Sequence, residues 1–157
     1  PAFNFAATMK LTFCPSEKYT GERTGLVVMG RDYAGLILEN TKDGLVLSQV
    51  ECKSADKGKA ETVKATAPLT DGTVYLKAVF STDATEKKAF ADKGDRVVTC
   101  DFLYSTDGKK FKKLGQPFRV REGKWIGAKL GTFCTRPHMV TNDGGWVDVD
   151  WFRVTKK

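Results

Sequence analysis

Carboxylates and aromatic rings alternate along residues 144–154, read GGWVDVDWFRV. Trp, Val and Phe are typical of strands, and successive side chains of a strand point to opposite faces. Trp146, Asp148, Asp150 and Phe152 are therefore predicted to share one face. The other face is predicted to lie against the core and carries Val147, Val149 and Trp151, with Arg153 at its end. Two carboxylates between two aromatic rings indicate a cation, an arginine or a row of sugar hydroxyls as their partner.

Three kinds of chemistry are open to Asp148 and Asp150. Their separation of about 7 Å along one strand, from the rise per residue, suits the acid and base of an inverting glycosidase, although many strand pairs share it. Carboxylate oxygens also bind hard cations, so calcium is an option at either residue. The third interpretation is a salt bridge to Arg23, Arg96 or Arg153, or hydrogen bonds to sugar hydroxyls. The sequence favours this third interpretation over calcium, and calcium over catalysis.

Three aromatic residues are candidates for stacking on a sugar ring: Tyr33, Trp125 and Trp146. A flat aromatic face covers the C–H face of a pyranose, while carboxylates, amides and guanidinium groups bind its hydroxyls. Packing in the core is the alternative for each ring, because aromatic side chains bury large apolar areas.

Most catalytic and metal-binding motifs are missing from the sequence. The single histidine, His138, lies in a loop-like stretch without a partner at motif spacing, so a histidine-based triad or zinc site is not expected. No GxSxG, no P-loop and no GxGxxG followed by a helix occurs. The four cysteines form no CxxC pair. They are interpreted as buried, inert, free thiols, with one or two disulfides as the alternative: Cys14, Cys52, Cys100 and Cys134.

Strand-like runs separated by Gly, Asn, Asp and Pro dominate the chain, and no convincing helix is found. A helical turn is an option only within residues 82–94, where a long loop is favoured. The predicted strands are 3–13, 24–30, 33–39, 45–52, 61–67, 73–80, 96–105, 111–114, 125–135 and the final stretch. This pattern predicts an all-β, two-sheet antiparallel sandwich of the jelly-roll kind, with a barrel as the alternative. A single domain is expected over residues 1–157.

The charge balance describes a basic protein without a nucleic-acid signature. The net charge is +7, but the lysines are spread over polar, loop-like stretches. No basic helix and no RNA-binding aromatic motif occurs, so nucleic acid is not expected as a partner. No apolar run reaches the roughly 20 residues of a membrane span. The chain starts at Pro1 rather than Met, and we expect a fragment of a larger protein that behaves as a monomer.

Four runs along the chain resemble one known family. These are GLVVMGRDYAGLIL (25–38), CDFLYSTDGKKFKKLG (100–115), KWIGAKLGTFC (124–134) and GGWVDVDWFRV (144–154). They resemble, in the same order, the C-terminal concanavalin-A-like β-sandwich that follows the catalytic propeller in many family 43 glycoside hydrolases, the β-xylosidase and arabinofuranosidase group. The resemblance implies a two-sheet sandwich, in agreement with the strand pattern.

The resemblance also implies a function. Such modules are non-catalytic, and some are classed as xylan-binding modules, so the chain is expected not to be an enzyme. It is expected to bind xylan, arabinoxylan or a related polysaccharide, or else to dock on the catalytic propeller and help shape its active site. Within the matching motifs, the expected carbohydrate-binding positions are Arg23, Tyr33, Asp101, Trp125, Lys129, Asp148 and Asp150, to which Trp146 is added as an aromatic candidate. The parent enzyme is expected to be secreted, periplasmic or on the cell surface of a bacterium.

Overall fold

The computed structural model describes residues 4–82, 97–136 and 144–156. Within these ranges the chain forms eleven strands and one short 3₁₀ turn, Ala55–Lys57. The strands are β1 (Phe5–Cys14), β2 (Arg23–Met29), β3 (Tyr33–Thr41), β4 (Gly44–Cys52), β5 (Thr62–Leu69), β6 (Thr73–Thr82), β7 (Val98–Ser105), β8 (Lys112–Lys113), β9 (Phe118–Val120), β10 (Lys129–Thr135) and β11 (Trp146–Lys156).

The strands form two antiparallel sheets. The six-stranded sheet has the order β11-β1-β6-β7-β8, with β9 also pairing with β7, and the five-stranded sheet has the order β10-β2-β3-β4-β5. This arrangement confirms the predicted two-sheet sandwich. The alternative of a barrel is wrong, because each sheet has two open edges and neither closes on itself.

The core lies between the inner faces of the two sheets. Strand β1 shows why: its even alternation places Ala7, Met9, Leu11 and Phe13 on the inner face, where all four are buried. Full burial of such a side chain stabilises the fold by about 1.5–3 kcal/mol. The inner faces of other strands contribute further fully buried side chains, among them Leu26, Leu36, Leu38, Leu47, Leu76 and Phe102.

One end of the sandwich is defined by where the strands start and finish. Residues 15–22 join β1 to β2 at one end, and the Glu22 carboxylate holds this junction by accepting the N–H groups of Ser16 at 2.6 Å and Gly145 at 2.8 Å. The opposite end is therefore where β1 begins at Phe5 and β2 finishes at Met29. We call this opposite end the entry end. Because β10 is antiparallel to β2, β10 also begins there.

Strand β11 contains an irregularity that changes which side chains share a face. The register pairs Lys10 with Trp151 and Leu11 with Val149, so Asp150 has no counterpart on β1. Two residues on one strand opposite one on its neighbour constitute a β-bulge. The bulge reverses the alternation for all residues that follow it.

The predicted faces of β11 are therefore correct only before the bulge. Val147 packs against the core, as predicted. Trp151 was assigned to the core face but lies on the outer face, where its ring centroid is 6.0 Å from that of Tyr75. Phe152 was assigned to the carboxylate face but lies opposite the buried Met9 on the inner face.

Other sequence predictions differ in detail. Strand β10 begins at Lys129 rather than at residue 125, and β9 was not predicted. Strand β5 lies at an edge of the five-stranded sheet. The predicted loop 82–94, apart from Thr82, and the loop that holds His138 lie outside the described residues. No helix in the described part of the chain is long and apolar enough to cross a membrane.

Candidate functional site

The residues predicted to bind carbohydrate occupy three separate places on the sandwich. Arg23, Tyr33 and Lys129 lie on the outer face of the five-stranded sheet, with Trp125 in the loop before β10. Trp146, Asp148 and Asp150 lie on β11, at the edge of the six-stranded sheet. Asp101 lies on β7 of the same sheet, separated from β11 by β6 and β1. The structure therefore does not bring the eight positions into one site.

On the outer face of the five-stranded sheet, Glu61 joins Arg23 to Tyr33. Arg23 Nη2 donates to Glu61 Oε1 at 2.5 Å, and the Tyr33 hydroxyl donates to Glu61 Oε2 at 2.9 Å. Arg23 also lies 3.5 Å from the Glu39 carboxylate. Burial and the hydrogen bond to Glu61 raise the pKa of Tyr33 above its ordinary value. This network orders both predicted side chains, but it also engages the groups that a sugar would need.

At the entry end, the loop before β10 presents an apolar cluster. Trp125 is 90% exposed, Ile126 55% and Met29 49%. They line one shallow depression of about 310 Å³ whose charged lining residues are Lys124 and Lys129. We call this cluster of five residues the entry patch. It combines a predicted aromatic residue, Trp125, with a predicted cation, Lys129, but its centre is apolar.

Two contacts hold the loop that carries Trp125. Arg121 Nη1 donates to the Asp32 carboxylate at 3.1 Å and 3.2 Å, and the Arg31 N–H donates to the Glu122 carbonyl at 3.3 Å. Gly30 is required at the turn before Asp32, because a Cβ atom there would collide with the carbonyl group of Arg121. The short β2–β3 turn therefore supports the loop that carries Trp125 and Ile126.

One of the two carboxylates of β11, that of Asp150, faces an ordinary ionic partner. Lys10 Nζ lies 3.3 Å from Asp150 Oδ1, with both side chains partly exposed. A salt bridge was one of the predicted alternatives, but its partner is a lysine of β1 rather than one of the three arginines. Trp146 is 60% exposed at the start of the same strand. Among residues 4–82, 97–136 and 144–156, no three His, Cys, Asp or Glu side chains are grouped so as to hold a metal ion, so the calcium alternative finds no ligand set there.

Asp101 forms a separate ion pair. Its Oδ1 lies 2.7 Å from Lys113 Nζ on the neighbouring strand β8. Phe102, the next residue of β7, is fully buried, and Tyr104 packs against the core, as predicted. Asp101 is therefore one half of a cross-strand pair that is remote from the entry patch.

The four cysteines are free, as the favoured interpretation predicted, but only two are buried. Cys52 and Cys100 are buried, Cys14 is half-buried and Cys134 is exposed. Burial raises the pKa of the Cys100 thiol, with the Asp101 charge adding to the effect. Cys52 donates from its thiol to the Lys59 carbonyl at 2.9 Å. An activated nucleophile requires a lowered pKa, so the raised pKa of Cys100 is the opposite of what such a role needs.

Sequence reasoning missed four residues that shape the candidate sites: Met29, Asp32, Glu61 and Ile126. Met29 and Ile126 sit within apolar strand-like runs and therefore look like core residues. Glu61 and Asp32 act across large separations in sequence, through partners on other strands and loops. The turn that carries Asp32 was predicted, but a turn prediction does not indicate what the aspartate contacts.

One known family matches almost the whole chain. Residues 1–155 match the model described as the beta-xylosidase C-terminal concanavalin A-like domain. The chain belongs to this family. The finding confirms both the predicted resemblance to family 43 glycoside hydrolases and the concanavalin-A-like fold.

Solved structures agree with the fold of this family. The GH43 protein BlXynB from Bacillus licheniformis has a TM-score of 0.69 at 22% identity, over 99% of this chain and 28% of its own. A bifunctional GH43-CE protein from Bacteroides eggerthii has a TM-score of 0.74 at 21% identity, over 99% of this chain and 18% of its own. In both proteins the concanavalin A-like domain is a minor part of a longer polypeptide.

A curated relative adds a closer match over a shorter stretch. A beta-xylosidase from Formosa agariphila is 47% identical over 51 residues, which are 32% of this chain and 8% of the relative. The chain thus spans less than a third of the length of each of these relatives. It is an accessory β-sandwich domain of the family 43 glycoside hydrolases, and the catalytic part of those enzymes lies in other regions of their chains.

Proposed function

We propose that this domain docks through the entry patch on the catalytic domain of its parent polypeptide. The observation that carries the proposal is the apolar cluster of Met29, Trp125 and Ile126, which lies open around one depression at the entry end of the sandwich. Aromatic residues and Met are enriched in the centres of protein interfaces. Trp is also among the residues that contribute most to binding energy.

The position of the patch fits this partner. The family is described as a C-terminal domain of beta-xylosidases, so in such enzymes the catalytic part precedes it in the chain. A preceding domain reaches the sandwich at the start of β1, which lies at the entry end. Met29 and Lys129 lie at that same end, because β2 finishes and β10 begins there. A catalytic domain attached by a short connection therefore lies near the patch.

The docking proposal is tested by producing this chain and the catalytic domain of the parent enzyme as separate polypeptides. Size-exclusion chromatography and calorimetry then measure their association. Ile126→Glu places a charge at the centre of the apolar cluster and is expected to weaken association by about 30-fold or more, as for an interface hot spot.

Val63→Glu is the matched control for this test. Val63 is 60% exposed but lies on β5, at the far edge of the same sheet, so association is expected to remain unchanged. Wild-type domains that fail to associate, or two variants that behave alike, would rule the entry patch out as the docking surface.

A second candidate function, polysaccharide binding, is favoured by the exposure of Trp125. Its indole is 90% exposed and lines the same depression as Lys124 and Lys129, so it can stack on a sugar ring whose hydroxyls the lysines contact. We propose xylan or arabinoxylan as the ligand on the basis of the family. Affinity for one chain is expected to be weak, since solvated hydroxyls must be stripped of water. A secreted or cell-surface location would follow from such a ligand.

Affinity electrophoresis in gels containing xylan, arabinoxylan, mixed-linkage glucan or mannan tests this second candidate. Retardation is expected in a xylan gel and is expected to be lost in Trp125→Ala. Trp146→Ala removes the other strongly exposed tryptophan, at the opposite end of the sandwich, and is expected to leave retardation intact. Migration that is the same in every gel would exclude polysaccharide binding by this domain.

A further inference from the structure

We infer that Asp32 is a positioning residue, which holds the Trp125 loop (residues 121–127) in the conformation that docks. The inference rests on the proposed docking function and names the group that prepares the patch for its partner. Asp32 lies in the turn between β2 and β3 and is only 6% exposed. Its side chain contacts no group of the entry patch itself, so it acts through the loop.

The Asp32 carboxylate joins two loops that are far apart in sequence. Arg121 Nη1 donates to both carboxylate oxygens, at 3.1 Å and 3.2 Å. The Ser54 N–H donates to Asp32 Oδ1 at 2.7 Å. Ser54 has a left-handed backbone conformation, with φ of 56°, and precedes the 3₁₀ turn. The carboxylate therefore ties the segment after β4 and the Trp125 loop to the same short turn.

Backbone contacts continue the same arrangement on both sides of Asp32. The Asp32 carbonyl accepts the Gly30 N–H at 2.8 Å. The Arg31 N–H donates to the Glu122 carbonyl at 3.3 Å, and the Arg31 carbonyl accepts the Asp56 N–H at 3.4 Å. The turn is thus clamped between two loops. Residues 123–128, which carry three of the five patch side chains, belong to no strand, and Arg121 and Glu122 are the anchors that precede them.

This arrangement bears on docking because an unanchored loop must lose conformational freedom when it binds. Ordering a side chain or loop residue on binding costs conformational entropy and so weakens association. A loop that is already ordered in the free protein avoids this cost. A buried carboxylate is itself unfavourable unless it is paired. Here the paired carboxylate orders a loop that exposes the side chains of Trp125 and Ile126. We expect loss of the clamp to weaken association with the catalytic domain by about tenfold.

Asp32→Asn tests the inference, because the amide oxygen can still accept the Ser54 N–H while the ionic attraction for Arg121 is lost. Two measurements are made on the whole 157-residue chain. Heteronuclear NOE values of the amides of residues 122–127 report fast loop motion, and calorimetry reports association with the separately produced catalytic domain. Lower NOE values together with weaker association are expected. Arg121→Gln is expected to lower the NOE values and weaken association in the same way. Arg121→Lys keeps the positive charge and is expected to retain part of the wild-type loop order and association.

Arg23→Gln is the control for a merely structural role. Arg23 forms another partly buried ion pair of this sheet, with Glu61 at 2.5 Å, and its own position at the start of β2 is at the end opposite the loop anchors. We expect it to lower the melting temperature as Asp32→Asn does, while leaving the loop NOE values and association unchanged.

The possible outcomes separate this inference from the proposed function. Unchanged NOE values and association in Asp32→Asn, together with dissociation by Ile126→Glu, would overturn the role of Asp32 and leave docking intact. An Ile126→Glu variant that still associates would refute docking through the patch. In that case unchanged NOE values in Asp32→Asn would also overturn the positioning role. Lowered NOE values would instead mean that Asp32 orders the loop but does not prepare it for docking.

Discussion

At the scale of single residues, four of the eight predicted sugar-binding residues are engaged by partners within the protein. Arg23 and Tyr33 share the Glu61 carboxylate, Asp150 pairs with Lys10, and Asp101 pairs with Lys113 on β8. The residue types were recognised correctly as polar groups on outer faces. Their partners could not be recognised, because each pair joins residues that are far apart in sequence. A ligand for these groups would have to displace an existing partner.

Tyr33 gives a prediction that depends on pH. Burial and the hydrogen bond to Glu61 raise the pKa of Tyr33 in the folded state above its ordinary value of 10.0. Its neutral form therefore stabilises the fold fully below pH 10, and this contribution is lost as the pH rises, because the unfolded chain ionises first. At pH 7 we expect Tyr33→Phe to be less stable by about 1 kcal/mol, through loss of the hydrogen bond.

The two proteins are compared by urea denaturation at pH 7, 9, 10 and 11. We expect the stability of the wild type to fall more steeply than that of Tyr33→Phe above pH 10, so that the difference between them shrinks. Tyr75→Phe serves as the control, since it changes another tyrosine on an outer face. Parallel profiles for wild type and Tyr33→Phe across the whole range would contradict a raised pKa for Tyr33.

At the scale of elements, strand existence was predicted well and strand detail was not. Runs such as GLVVMG and TVYLKAVF are apolar, rich in β-branched residues and bounded by turns, so their assignment needs no tertiary information. Strand β9 was missed because it comprises only Phe118–Val120, too short for a periodic pattern. It exists because it pairs with β7.

The bulge at Asp150 shows why one face of β11 was assigned wrongly. Alternation along a sequence assumes an unbroken period of two, and a single extra residue reverses every position after it. The bulge is set by how β11 pairs with β1, where Lys10 lies opposite Trp151 and Leu11 lies opposite Val149. Nothing in the run WVDVDWF identifies Asp150 as the extra residue. The pair of aromatic residues on the outer face, Trp151 and Tyr75, could therefore not be predicted.

Close approach of a neighbouring strand constrains some glycines of the sandwich and not others. A Cβ atom at Gly131 in β10 would meet nothing within 4 Å. The close approach occurs between β2 and β3 instead, where a Cβ atom at Gly35 would lie 2.5 Å from the Leu26 carbonyl oxygen. Which glycine is constrained depends on the neighbouring strand.

At the scale of the whole molecule, the fold class could be predicted while the site could not. Strand count and spacing suffice for a two-sheet sandwich, and the family resemblance agrees with the match over residues 1–155. The entry patch, however, is assembled from the end of β2 and the loop before β10. These segments become neighbours only because β10 crosses to pair with β2. Trp125 and Lys129 were predicted members, whereas Met29 and Ile126 depend on topology.

The positive charge of the chain leads to the last prediction, which concerns the rate of docking. Lys124 and Lys129 are the charged residues that line the apolar depression, so the matching surface of the catalytic domain is expected to carry acidic groups around an apolar centre. Charges at an interface rim act mainly on the association rate and its salt dependence. We expect the association rate constant to fall by about tenfold between low salt and 1 M salt, where the screening length is only about 3 Å.

Stopped-flow mixing of the two domains measures this rate, with Lys129→Glu as the test variant and Lys42→Glu as its control. Both substitutions change the net charge equally, but Lys42 lies in the β3–β4 turn, at the end of the sandwich opposite the patch. We expect Lys129→Glu to slow association several-fold at low salt and to flatten the salt dependence, whereas Lys42→Glu should follow the wild type closely. Equal slowing by both variants would mean that overall charge, rather than the rim of the entry patch, guides the encounter. A salt-independent rate in the wild type would assign docking to the apolar centre alone.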